Sequence, residues 1–368
     1  MHVLHITMRW GEGRGGVKQF ILNAEAALDR ERYKQSVLSV GPVTGDDLGL
    51  DLHGPVVGRG DPASLILAAH RLERVIESLL PDVVHIHCNN GLGLLYADAA
   101  RRAGCATRIV HSHNTATEDG SAVKRVVSAA LARRYSSAPT HRVACSELAG
   151  SYLFGDRAFT IVRNGIKIKR FSFDPIARQD VRSSFGIDNN AVVLGHIGSG
   201  IPVKNTGFII DLVRILADRG VDVHALLIGS GEEIDALQLR ARDRGVSERV
   251  NFVGVVVDPW RYYSAMDAFL LPSFYEGLPI SLIEAQSNGL LSIASDAVSD
   301  EANVTGLVSY LPLGDIELWA DSVVESSYIG KGRSSSVSEK ASNDIRAAGY
   351  SSEALGNQLD CLYEGIAS

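Results

Sequence analysis

The sequence predicts an α/β protein made of two doubly wound, parallel-sheet domains, and three observations carry that prediction. Short apolar runs alternate with amphipathic helical periodicity along the whole chain. The runs are continuous and β-branched, the mark of strands buried on both faces. The pattern also restarts after residue 190, as expected of a 368-residue chain with two cores.

In the first half, strands are expected at 3–7, 35–40, 82–87, 107–113 and 141–146. Segments 17–28 and 65–80 between them repeat apolar residues at helical spacing. In the second half the runs at 191–198, 222–229, 250–255, 268–271 and 291–294 read as strands in the same way. Periodicity breaks at 170–175 and again at 186–190, which places a seam in that region. The expected organisation is a Rossmann-like domain over 1–172, a second over 173–345, and a tail over 346–368 that is helical from about residue 351.

Hydrophobic residues make up 45% and charged residues 21%, an ordinary globular balance. A net charge of −7 argues against a broad nucleic-acid footprint. The four cysteines (Cys88, Cys105, Cys145, Cys361) have neither metal-ligand spacing nor the density of a disulfide framework. They suit a reducing cytoplasm. The chain opens directly on a strand, so no signal peptide is read. No apolar run is long enough to span a membrane.

The richest stretch begins at Pro272, just after the strand at 268–271. Glu276 stands on the loop at that strand's C-terminal end, followed by Gly277, Leu278 and Pro279. Glu284 lies eight positions on, expected about two turns into the next helix. In an open α/β sheet this is where ligands bind. Two acceptor carboxylates suit a polyol, and the helix N-terminus favours a phosphate. A nucleotide-sugar has both parts.

Other motifs are weaker. Gly11, Gly13 and Gly16 satisfy the spacing of a dinucleotide loop, but the second strand ends without the acidic residue that would hold a ribose. An anion held on backbone N–H groups is the better reading. Two H-x-H pairs, His85 with His87 and His111 with His113, stand at strand ends. They could be zinc ligands, yet acids to complete a shell are missing nearby. One functional imidazole, His113, plus structural ones is expected, with no metal. Lys204 on the glycine-containing loop that follows Gly198 is a candidate phosphate partner, while solvated surface explains a lone lysine equally well. Residues 122–135 form a basic amphipathic helix in which Lys124, Arg125, Arg133 and Arg134 flank an apolar stripe, suited to an anionic membrane surface or to packing on the first domain.

Together these pieces resemble one family, the retaining glycosyltransferases of family 4. In the second half the likeness runs through residues 195–205, 226–232, 250–254 and 276–284; in the first through Gly15 and Gly16, 111–114, 144–155 and 162–165. The segments around Cys145, Phe154 and 284–289 are most similar to the exopolysaccharide and capsule branch, the EpsF-like enzymes. The resemblance implies a GT-B fold, two Rossmann-like domains facing each other across a cleft, with the tail helix crossing back to the first. It implies transfer of a sugar from a nucleotide-diphosphate donor, by default a UDP-sugar, to a glycan or lipid-diphosphate-linked acceptor. No cofactor and no metal are implied, and the location is cytoplasmic or peripheral to the membrane.

The resemblance also implies roles. Glu284 would hold the ribose, Glu276 would lie against the donor sugar, and Lys204, beside Asn205, would neutralise the diphosphate. Gly15 and Gly16 would let a loop close over that diphosphate. His113 would contact the sugar, and the backbone around Val253 and Val255 would meet the base. One departure stands out: Ser199 occupies the position where the family usually has arginine. A nucleotide-sugar epimerase and a non-catalytic nucleotide-sugar-binding relative therefore remain open alternatives.

Overall fold

The computed structural model describes residues 1–11, 15–44, 49–56, 62–113, 122–330 and 333–365, with backbone only at 62–66 and 327–330. Two of the loop residues singled out in the sequence, Gly13 and Asn114, lie outside the described residues. The chain forms two compact units, Met1–Gly165 with Ser352–Ser368, and Ile166–Ser351.

The first unit runs β1 (His2–Thr7), α1 (Gly16–Ala27), β2 (Lys34–Ser39), β3 (Asp51–His53), α2 (Pro62–Leu79), β4 (Val83–Cys88), α3 (Leu92–Arg102), β5 (Thr107–Ser112), α4 (Ala122–Arg134), β6 (His141–Ala144), α5 (Glu147–Phe154) and β7 (Thr160–Ile161). Its strands are all parallel, in the order β3-β2-β1-β4-β5-β6-β7. The strand period of two sorts each strand's residues onto opposite faces. Leu4, Ile6, Val84 and Ile86 pack with Leu72 and Tyr96 on one side. Val3, Val83, Ile109 and Val143 pack with Phe20 and Ile21 on the other.

The second unit continues with α6 (Pro175–Ser184), β8 (Val192–Ile197), α7 (Thr206–Asp218), β9 (Val223–Ile228), α8 (Ile234–Asp243), β10 (Val250–Gly254), α9 (Pro259–Ala265), β11 (Ala268–Leu271), α10 (Ile280–Ser287), β12 (Ser292–Ser295), β13 (Val308–Leu311), α11 (Ile316–Gly330) and α12 (Ser335–Ala347). Its parallel order is β10-β9-β8-β11-β12-β13. The last helix, α13 (Ser352–Glu364), belongs to the first unit, where Leu355, Leu359, Leu362 and Tyr363 join the core on the α1 side.

Local signals explain several boundaries. Asp174 caps α6, its carboxylate accepting from the N–H of Ile176 and Ala177 at 2.8 and 3.2 Å, with Pro175 in the first turn. Ser146 caps α5 by accepting from Ala149 N–H at 3.1 Å. The first unit ends at Gly165, earlier than the expected residue 172. Ile166 bridges to Ser351, and the 3-10 turn Ile168–Phe171 is held by Asn288, whose amide donates to the Phe171 carbonyl at 2.8 Å. Strands β3, β7 and β13 were not expected from the sequence. They span three, two and four residues and stand at sheet edges, too short to show a period.

A buried carboxylate ties the second sheet together. Asp267, fully buried, precedes β11 and accepts from Arg178 and Arg182, each at 2.6 Å, and from Val193 N–H of β8 at 2.8 Å. Its own N–H donates to Val193 O at 2.7 Å. Removing one partner from such a cluster leaves buried charge uncompensated, a loss of about 3–5 kcal/mol. Asp267→Ala is therefore expected to lower stability by that amount in denaturant unfolding, well beyond the effect of an exposed control such as Asp218→Ala.

Candidate active site

In the second sheet, strand order reverses between β8 and β11. The loops that leave the C-terminal ends of those two strands diverge there, which is the standard ligand crevice of an open α/β sheet. The loop after β8 carries Lys204, and the loop after β11 carries Glu276. A backbone bond from Phe274 N–H to Val203 O, at 2.9 Å, ties the two loops together. Lys204 Nζ donates to Glu276 Oε1 at 2.5 Å, and Ser273 Oγ donates to the same oxygen at 2.8 Å. Both charged side chains are largely but not wholly covered, with 19% and 13% exposed. Charge-assisted bonds of this kind are short and directional. Beneath them His196 is buried and its Nδ1–H donates to Leu270 O at 2.9 Å. Burial pushes its pKa down to about 4, so it is a neutral floor.

The loop at Lys204 is shaped by a second glycine loop. Gly229 has φ of 138°, and a Cβ built there would lie 1.8 Å from Gly198 O. A Cβ on Gly231 would lie 2.2 Å from Gly200 O. The loops 198–200 and 229–231 thus pack backbone to backbone, which only glycine permits. Ser199 sits between the two glycines of the first. Asn205 adopts the left-handed conformation (φ 50°, ψ 39°) that joins this loop to α7, a region asparagine tolerates. Gly229 N–H also bonds Gly254 O at 2.9 Å, which fixes the backbone between Val253 and Val255 at the end of β10.

Glu284 lies one turn into α10, not two, because the helix begins only at Ile280, after the buried turn of Gly277, Leu278 and Pro279. It is 7% exposed and accepts from Tyr263 Oη at 2.8 Å. The structure therefore brings Lys204 and Glu276 into direct contact and holds Glu284 on a different neighbour. Ser273 and Tyr263 were not anticipated. Ser273 could have been found from its position three residues before Glu276, whereas nothing in the spacing marks Tyr263 on α9. A hollow of about 600 Å³ adjoins the site, bounded by Pro202, Asn205, Glu233, Arg240 and Phe274; Lys204 and Glu276 are not among its walls.

In the first unit, Gly15 caps α1 and Gly16 is its first residue. A Cβ built on either meets no heavy atom within 4 Å, so packing among the described residues does not demand glycine there. His113 follows β5, with its N–H on Cys88 O at 3.2 Å. It belongs to a group of five imidazoles. His5 pairs in register with His85, and His87 with His111, so alternation sets these rings on one face, where Phe20 packs against four of them. Burial pushes His5 down to about 4 and His113 to about 3, and lowers His85, His87 and His111 well below the ordinary value. All five are neutral at physiological pH. Two triplets, His5-His85-His87 and His87-His111-His113, each have ring nitrogens within 4.8 Å of one another and so could hold a metal. The basic helix α4 buries none of its residues, and Val123, Val126 and Val127 are exposed. Among the described residues no helix is long and apolar enough to cross a membrane.

Known proteins match this architecture. The family described as "Glycosyl transferase 4-like domain" matches residues 15–163, and "Glycosyl transferases group 1" matches 190–326, so that the two cover most of the chain. EpsF of Bacillus subtilis (strain 168), which carries a provisional glycosyltransferase name, is 29% identical over 92% of this chain and 90% of its own. The UDP-Gal:alpha-D-GlcNAc-diphosphoundecaprenol alpha-1,3-galactosyltransferase of Escherichia coli is 26% identical over 76% of each chain. Among solved structures, Anabaena HepE in complex with UDP-glucose superposes with a TM-score of 0.76 at 20% identity, covering 99% of this chain and 100% of its own. The sucrose-phosphate synthase of Thermosynechococcus elongatus gives a TM-score of 0.78 at 15% identity, over 99% and 98%. Strand order, glycine loops and family matches agree: the chain belongs to the family 4 glycosyltransferases and has their GT-B fold.

Proposed function

We propose that this glycosyltransferase moves a sugar from a UDP-type nucleotide donor to a glycan or lipid-diphosphate-linked acceptor in bacterial surface polysaccharide synthesis, with retention at the anomeric carbon and without a metal. The observation that carries the reading is the Lys204–Glu276 contact at the strand-order reversal of the second sheet. Breaking the anomeric bond builds positive charge on the sugar and negative charge on the departing diphosphate. A fixed ammonium lowers that barrier most if it meets the charge as it forms. Lys204, held by Glu276 in the free protein, is the cation for the diphosphate. Glu276 is then left to accept from the sugar hydroxyls, with Ser273 keeping its orientation.

Glu284, oriented by Tyr263, is an acceptor for the ribose hydroxyls. The backbone at Val253 and Val255 is the contact for the base. Ser199 and Asn205 line the loop that bears Lys204, and the open backbone at Gly15 and Gly16 suits close approach of a phosphate. In the reaction the acceptor hydroxyl attacks from the face the diphosphate leaves, and its proton passes to a diphosphate oxygen. Relatives support the substrate class: one is named for UDP-galactose and a diphosphoundecaprenol acceptor, and another is solved with UDP-glucose. Val123, Val126 and Val127, flanked on α4 by Lys124, Arg125, Arg133 and Arg134, support a reading of that helix as a contact for anionic lipid, where such an acceptor would reside.

Lys204→Ala and Glu276→Gln are each expected to lower kcat by about 10²–10³-fold, with melting temperatures near wild type. Turnover close to wild type in both variants would remove the site. Transfer is expected to continue undiminished after exhaustive chelation, and NMR of the product should show the donor's anomeric configuration; an inverted product or loss of rate with chelator contradicts the mechanism. Vesicles containing anionic lipid should retain the protein better than neutral vesicles at low salt, and an α4 variant with Lys124, Arg125, Arg133 and Arg134 changed to Gln should lose that difference.

A further inference from the structure

Beyond the transfer site, the five imidazoles of the first unit form two hydrogen-bonded columns whose proton positions can be followed ring by ring. In the first column, Gln35 Oε1 accepts from His5 Nε2 at 2.9 Å. His5 therefore carries its proton on Nε2, and its Nδ1 is a lone pair that accepts from His87 Nε2–H at 2.9 Å. That leaves His87 Nδ1 as a lone pair, 2.9 Å from His113 Nε2. In the second column, His85 Nδ1 meets the Tyr363 hydroxyl at 2.9 Å and His85 Nε2 meets His111 Nδ1 at 3.2 Å. His111 Nε2 is then buried with no hydrogen-bond partner among the described residues. A buried polar atom left in this way calls for an explanation.

We propose that His87, His111 and His113 bind a transition-metal dication of the zinc class. If Tyr363 accepts from His85 Nδ1–H, His85 Nε2 accepts from His111 Nδ1–H, and the orphaned His111 Nε2 becomes a lone pair. His113 provides the third when its proton moves to Nδ1, since its ring is only half-buried. The cation takes the place of the proton between His87 Nδ1 and His113 Nε2, and it gives His111 Nε2 a partner. One nitrogen from each ring already lies within 4.8 Å of the others. A tetrahedral zinc with bonds of about 2.0–2.1 Å needs ligand nitrogens about 3.3 Å apart, so binding requires the stacked rings of His111 and His113 to turn until their nitrogens converge. The fourth position is left to water.

The remaining rings complete the arrangement. His87 donates to His5 and on to Gln35; His111 donates to His85 and on to Tyr363. Metal-bound imidazoles require such partners to fix their tautomers. The alternative triplet, His5-His85-His87, would break the His5–His87 bond that sets the His87 tautomer and would leave His111 Nε2 without a partner, so it is disfavoured. An all-imidazole donor set selects zinc, cobalt, nickel or copper and rejects magnesium and calcium, which want oxygen ligands. The proposal does not rest on the donor chemistry assigned to Lys204 and Glu276, and it replaces the sugar contact that the family resemblance implies for His113.

The test uses untagged, full-length protein stripped with chelator and titrated with Co²⁺. The expected result is one bound equivalent with the visible spectrum of a tetrahedral site, displaced by Zn²⁺ and unaffected by Mg²⁺. His113→Asn and His111→Asn should abolish that spectrum, and Gln35→Leu, which frees the first column's proton order, should weaken binding about 10–100-fold. Thermal melts confirm that each variant folds, and His113 at its strand end is the least demanding site to change. A wild type that retains no cobalt, or a folded His113→Asn that retains it as wild type does, overturns the proposal.

Discussion

The second sheet depends on one buried carboxylate. Asp267 bonds backbone on β8 and two arginines of α6 while it opens β11. These two strands are the only neighbours in the sheet that lie on opposite sides of the order reversal, and just two Cα pairs join them in the ladder. Such a seam would be weak if it relied on the ladder alone. The carboxylate fixes the strands' entry ends, so that their exit ends, four to six residues on, are fixed as well. The contact between Lys204 and Glu276 depends on that register, because each residue stands on a loop that one of the two strands releases.

The two units solve the problem of polar groups in a parallel sheet differently. In the second, polar atoms are paired as ions or caps: Asp267 with Arg178 and Arg182, Asn288 with Phe171 O, Gln286 with the carbonyls of Leu282 and Ala302. In the first, neutral imidazoles bond to one another across three strands. Burial keeps them uncharged, which is what lets five of them share a small volume without mutual repulsion. The tail supplies Tyr363 to this group, and helix α1 supplies Phe20, whose ring packs T-shaped against His111.

Much of this was legible in the sequence. Continuous runs such as Val83 to Cys88 announce a strand covered on both faces, and every long strand lies where such a run predicts. Glu276 after an apolar strand, and Lys204 after a glycine, could be read as loop residues at strand ends, because a strand's end and a turn leave local marks. What could not be read is what depends on pairing across the sheet. The strand order, and hence the meeting of loops 72 residues apart, follows from non-local contacts. The H-x-H spacing showed that His85 and His87 share a face, but not that His5 from another strand bonds His87. Asp267 looked like an ordinary residue at a strand start, and its burial follows from arginines eighty-odd positions upstream. Glu284 was expected about two turns into its helix and lies one turn in, because α10 begins only at Ile280, after the Gly277–Pro279 turn.

The path of the chain has a consequence for how the molecule is made. The first unit takes four core side chains, Leu355, Leu359, Leu362 and Tyr363, from a helix that is translated only after the whole of the second unit. Its other elements are all synthesised more than 185 residues earlier and must wait, with the α1 side of their sheet unfinished, while the entire second unit emerges. Assembly of the nascent protein therefore runs against the order of translation: the domain written second is the first whose interior can close.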